Sequence, residues 1–165
     1  MKTLVVGLGN PILGDDGVGW KIAEEVKRRL CPSSGSYPLA NKHFISVEYL
    51  SLGGLGLMEH LVGYDNAILI DAFRSEGAIG SVLVMRLEDM PNYSAFHTTS
   101  VHDASLQNAL EFGSRLGAKL PKRIMVVGVT TDKCFEFCDG LTPEVQAAVP
   151  IATRAALDLL EVSIY

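Results

Sequence analysis

A chain of 165 residues with 48% hydrophobic and 20% charged side chains is the size of one globular domain with a buried core. Nineteen acidic residues against 14 basic ones leave a net charge of -5, the wrong sign for a protein that grips nucleic acid through a basic face. No apolar run approaches the roughly 18 residues of a membrane span, and an odd count of three cysteines argues against a secreted disulfide framework, so the expected compartment is the cytoplasm.

The first apolar run, Thr3 to Val6, reads as a buried strand. It breaks abruptly at Gly7-Leu8-Gly9-Asn10 and runs straight into a charged turn with no small-residue cleavage site, unlike a signal peptide. Gly17 to Leu30 carries Val18, Ile22, Val26 and Leu30 at helical spacing with charges between. Phe44 to Leu50 predicts a second strand, Leu55 to Val62 a short helix, and Ala67 to Ile70 a third strand. Ser81 to Leu87 alternates weakly after the turn signal Glu76-Gly77 and predicts a fourth strand. A polar, irregular stretch follows from Glu88 to Ser100. Val101 to Leu116 predicts a helix ended by Gly117, and Arg123 to Val129 a fifth, strongly apolar strand. Thr142-Pro143-Glu144 opens a long helix to about Val162, with Thr142 as N-cap and Pro143 at the first helical position. Strands and helices alternating in this way specify an α/β fold: a single three-layer domain over residues 1–165, with a mostly parallel sheet of about five strands and helices on both faces.

In such a sheet ligands bind beyond the carboxyl ends of the strands, and three loops qualify: 7–19, the segment after Ile70, and 128–140. The first is glycine-rich between a strand and a helix. It is not a dinucleotide fingerprint, because Ile12 stands where a glycine is required, nor a Walker A loop, because no Gly-Lys-Ser/Thr ends it. Asp15-Asp16 at the helix start would repel phosphate. One of the two can cap the helix while the other faces the cleft. Asp71, where the third strand leaves the core, is either a turn aspartate bonded to its own loop or a charge that needs a cation or metal beside it; position alone does not separate these. Of the four histidines, His43 and His60 read as surface residues, His97 lies in the irregular stretch, and His102 starts a helix from which an imidazole can face a cleft. Two carboxylates and an imidazole make a borderline divalent site with open positions, suited to zinc, nickel or cadmium. Neither His-Glu-x-x-His nor Gly-x-Ser-x-Gly is present. Cys134 and Cys138 form only one pair where structural zinc needs two; free loop thiols are the favoured reading.

Gly7-Leu8-Gly9-Asn10, Asp15-Asp16-Gly17-Val18-Gly19, Ile70-Asp71-Ala72, His102-Asp103, Val127-Gly128-Val129 and Gly140-Leu141-Thr142-Pro143-Glu144-Val145, in this order and at this length, resemble the hydrogenase maturation endopeptidases along nearly the whole chain. The resemblance implies that Asp16, Asp71 and His102 bind a divalent metal and carry the catalysis. It also implies that the ion is the substrate's own nickel, with zinc or cadmium able to stand in for it in vitro, and that the substrate is a hydrogenase large-subunit precursor cut after its C-terminal metal-binding motif. No nucleic-acid or membrane partner is implied. Many relatives carry an aspartate after the second strand, where this chain reads Ser51-Leu52-Gly53-Gly54. The rival expectations are a non-enzymatic nickel-binding module and an esterase or amidase on a related fold.

Overall fold

The computed structural model describes residues 1–30, 43–74, 77–90, 105–132, 137–138 and 140–162. Strands β1 (Lys2–Leu8), β2 (Phe44–Leu50), β3 (Asn66–Arg74), β4 (Val82–Arg86) and β5 (Arg123–Thr131) form one sheet in the order β2-β1-β3-β5-β4. All neighbours run parallel except β4, which lies antiparallel against β5 at one edge. Helices α1 (Val18–Leu30) and α4 (Pro143–Val162) pack on one face, α2 (Gly54–Leu61) and α3 (Leu106–Arg115) on the other. The α/β layering expected from the alternation of strand and helix signals is the architecture observed.

The inner strands are apolar on both sides because both sides are covered. In β1, Leu4, Val6 and Leu8 join the cluster under α2 and α3, while Val5 joins that under α1 and α4. Ala67 and Leu69 of β3 face the first cluster, Ile68, Ile70 and Ala72 the second. Such alternation places residue 71 on the α2–α3 side.

Several element ends differ from expectation. The third strand continues through Asp71 to Arg74, because β5 pairs with it as far as Arg74↔Thr131 after β1 has stopped pairing at Gly7↔Ile70. Asp71 is therefore inside a strand, at the point where β1 leaves its side, and not in a turn. A single 3-10 turn, Gly14–Gly17, precedes α1. The helix expected from Val101 starts later: Ser105 is the N-cap of α3, its hydroxyl accepting the Asn108 N–H at 3.3 Å, while residues 101–104 lie outside the described set. The polar stretch opens with a 3-10 turn at Leu87–Asp89. Among the described residues, no helix is long and apolar enough to cross a membrane.

Candidate active site

The loop after β1 is built by its own sequence. Asn10 accepts the Ile12 N–H on its side-chain oxygen at 3.2 Å and the Leu13 N–H on its carbonyl at 3.1 Å, turning the chain through Pro11. The 3-10 turn Gly14–Gly17 then folds back over the end of β1. It comes so close that a Cβ on Gly9 would lie 1.8 Å from the Asp16 carbonyl oxygen, and Gly9 itself holds φ +120°, a region that favours glycine. The loop after β2 supports this corner: the Gly9 N–H donates to the Leu50 carbonyl at 3.1 Å, and the Ser51 hydroxyl donates to the Gly9 carbonyl at 2.7 Å.

Asp15 and Asp16 diverge. Asp16 is fully buried and accepts the Asn10 N–H on Oδ2 at 2.6 Å. Asp15, 1% exposed, points the other way and accepts from Thr131 and Thr142. Leu13, at the N-terminus of the 3-10 turn, provides no side-chain cap. Asp15 bonds to Thr142 at the start of α4. Asp71 is also fully buried, with its Oδ1 accepting the Ala72 N–H at 2.9 Å. Two carboxylates with no solvent exposure are costly to bury as ions unless donors or a cation face them, and the structure gives each a backbone donor.

The 3-10 turn packs against β3, and Gly19, three residues beyond Asp16, sits directly on the carbonyl of Ile70, the neighbour of Asp71. Asp16 and Asp71 are therefore delivered by adjoining elements to the same end of the sheet. His102 lies outside the described residues, as do His97, Asp103, Cys31 and Cys134. Among the described residues no three His, Cys, Asp or Glu side chains are grouped to hold a metal. Cys138 is a free, exposed thiol. His60 accompanies Glu48, 2.8 Å from its carboxylate, on the surface.

A family model described as hydrogenase maturation protease matches residues 46–159. The chain belongs to the hydrogenase maturation protease family. The Hydrogenase 2 maturation protease of Escherichia coli is 29% identical over 166 residues, covering 99% of this chain and 93% of its own length. The hydrogenase expression/formation protein HoxM of Azotobacter vinelandii is 26% identical over 95% of this chain and 71% of its own. Among solved structures, the hydrogenase maturating endopeptidase HybD of Escherichia coli superposes with a TM-score of 0.70 at 27% identity, covering 99% of this chain and 94% of that one. The family model takes in positions 71 and 102 but begins after 16; the full-length relatives extend the likeness over the first loop. The protein is thus a maturation endopeptidase, a hydrolase, which decides against a non-enzymatic binding module and against an esterase.

Beside the carboxylates the protease has an aromatic ledge that the motif search passed over. The Trp20 indole N–H donates to the Leu50 carbonyl at 3.3 Å, and its ring lies 5.6 Å from that of Tyr49, with Lys27 5.8 Å above the latter. Burial, with Glu24 nearby, pushes the Tyr49 phenol up. Pro11, Trp20, Lys21, Glu24 and Tyr49 enclose a cavity of about 260 Å³. Around the same end of the sheet Ile12, Leu52, Leu55 and Phe137 are exposed. Trp20 lies on α1 and Tyr49 on β2, and a lone aromatic in either element reads as ordinary packing in a sequence, so nothing in the local pattern marks this ledge.

Proposed function

We propose that this protease removes the C-terminal extension of a nickel-loaded hydrogenase large-subunit precursor in the cytoplasm, and that Asp16, Asp71 and His102 contact the substrate's nickel. The observation that carries the reading is the pair of fully buried carboxylates on adjoining elements at the carboxyl end of the sheet, in a chain of this family. His102 precedes Ser105 by three residues, a reach of no more than about 11 Å of extended chain, and α3 covers the face of the sheet on which position 71 lies. Carboxylate and imidazole oxygen and nitrogen donors suit nickel, and zinc or cadmium would take the same set in vitro.

In this scheme nickel belongs to the substrate and acts as the handle by which a loaded precursor is recognised. Asp16 and Asp71 hold the metal-bearing end of the substrate. A carboxylate oxygen of Asp16 or Asp71 not engaged with the ion accepts the proton of the attacking water as its oxygen bonds to the scissile carbonyl carbon, and passes that proton to the amide nitrogen as the C–N bond breaks. The backbone donors on Asp16 and Asp71 keep both oxygens aimed without solvent. The uncharged rim of Ile12, Leu52 and Leu55 gives the folded precursor a surface to rest on while its tail enters the cleft.

The test is trimming of purified precursor, followed by gel mobility, with nickel inserted or withheld. Trimming of the loaded precursor alone is the expected result. Chelator added after insertion leaves trimming intact, in contrast to a peptidase that carries its own zinc. Equal trimming of nickel-free precursor would refute the recognition role.

A further inference from the structure

Asp15 is outside the proposed nickel-contacting set, yet it is among the most heavily bonded side chains at this end of the molecule. Its carboxylate accepts the Thr131 hydroxyl on Oδ2 at 2.9 Å, the Thr142 hydroxyl on the same oxygen at 2.9 Å, and the Thr142 backbone N–H on Oδ1 at 2.6 Å. Thr131 ends β5, and Thr142 is the last residue before α4. Two backbone bonds run alongside: the Gly14 N–H donates to the Cys138 carbonyl at 3.1 Å and the Cys138 N–H to the Ile12 carbonyl at 3.3 Å. The turn that carries both aspartates is thereby fastened on one side to β5 and α4. On its other side it is fastened to the loop that follows β1, through the Asn10 N–H on Asp16.

We propose that Asp15 is the positioning residue for Asp16. Adjacent residues of a 3-10 turn point about a third of a turn apart, so a carboxylate pinned toward α4 fixes the direction of the next one toward β1. All three partners of Asp15 are donors, and hydrogen bonds to an ionised acceptor are the stronger kind. The pin is thus a charged one between segments 116 and 127 residues apart. Releasing it frees the turn to rotate, and Asp16 loses its alignment with Asn10 without any core side chain being removed. The inference rests on the reading of Asp16 as a site residue.

The experiment is amide hydrogen exchange by NMR on the full chain, paired with kcat and KM for trimming of nickel-loaded precursor. In Asp15→Ala the Asn10 amide is expected to exchange about tenfold faster or more, while interior amides of β1 and β3 hold their protection. kcat falls by a similar factor with KM little changed. Asp15→Asn restores part of both, because its carbonyl can still accept the Thr142 N–H while the two hydroxyls rotate to accept from the new amide. Thr131→Val, which removes one donor and keeps the fold, gives a smaller change in the same Asn10 amide and in kcat. Added to Asp15→Ala it changes the Asn10 amide less than it does alone, since the bond they share is already gone. If Asp15→Ala does not fold, the Asn and Thr131→Val variants carry the same test. Unchanged Asn10 exchange, or a uniform rise across all strands with equal loss of melting temperature, overturns the proposal. Failure of the wild-type protein to trim precursor, with Asn10 exchange responding as described, overturns the functional reading and leaves the pin in place.

Discussion

Gly19→Ala is the smallest change that probes how the site is seated. An added Cβ at this position would lie 2.2 Å from the Leu8 carbonyl oxygen and 2.4 Å from the Ile70 carbonyl oxygen. Both obstacles are backbone of the central strands β1 and β3, so no rotamer change relieves them. Contacts of that kind need a separation of at least 3.0 Å, which obliges the start of α1 to withdraw by nearly 1 Å. Val18, Ile22, Ala23 and Val26 are all fully buried against the sheet and would lose part of their packing together. Overpacking of this kind costs about 3 kcal/mol, and alanine returns about 1 kcal/mol of helix propensity over glycine, leaving a net loss of about 2 kcal/mol. For a chain this long that is a fall in Tm of about 4–8 °C. Gly56→Ala is the control, since a Cβ there meets only Leu52 side-chain atoms at 3.7 Å or beyond. It should be neutral or stabilising by up to about 1 kcal/mol. Urea unfolding followed by circular dichroism, with scanning calorimetry for Tm, measures both. If Gly19→Ala is as stable as the parent, or if the two variants move together, the close seating of α1 on the β1 and β3 carbonyls is not what positions this corner.

Other expectations follow from single features. Asp16→Asn and Asp71→Asn each lower the rate of precursor trimming by about 100-fold or more, as loss of a proton acceptor or substrate ligand does, with circular dichroism unchanged; retention of full activity by either removes that residue from the mechanism. Ser51→Ala deletes the hydroxyl that donates to the Gly9 carbonyl and is expected to cost about 1 kcal/mol in urea unfolding, with no change if water takes its place. Arg28 and Arg29 beside Glu25 hold its carboxyl down to about 2 from an ordinary 4.5. Because the folded value is the lower one, the stabilising contribution is present above pH 4.5 and is lost as pH falls toward 2. An NMR titration of the Glu25 carboxyl should show the low midpoint at low salt and a rise toward 4.5 with added salt; an unshifted midpoint at low salt would remove the pairing.

The parts of the fold that were readable in the sequence are those set by local pattern. Phe44 to Leu50 came out with its bounds unchanged, and Pro143 marked the first residue of α4 correctly, because proline chemistry acts within one turn. The end of β3 was not readable. Ala72 and Phe73 look like the beginning of a loop until β5 is known to pair past the end of β1, and such pairing is decided by a segment more than 50 residues away. The direction of Asp15 was hidden for a similar reason: its partners, Thr131 and Thr142, are common residue types at great sequence distance. Asp16 and Asp71 stand out as candidates because a carboxylate beside a glycine loop or an apolar run conflicts with its surroundings, and that conflict is visible without coordinates; both are buried in the structure. The Trp20–Tyr49 ledge presents no such conflict.

The sequence span of the Asp15 bonds also sets an order on how the enzyme comes into being. During synthesis the first loop emerges early, but the residues that hold it, Thr131 and Thr142, are made only 116 and 127 residues after Asp15. Contacts that close loops of this length form late, after the entropy of the intervening chain has been overcome by other packing. A nascent or prematurely terminated chain that ends before Thr131 therefore carries both aspartates of the turn without the bonds that hold Asp15. On the positioning role proposed for Asp15, the turn is fixed only late in folding, and chains cut short before Thr131 are expected to trim no precursor.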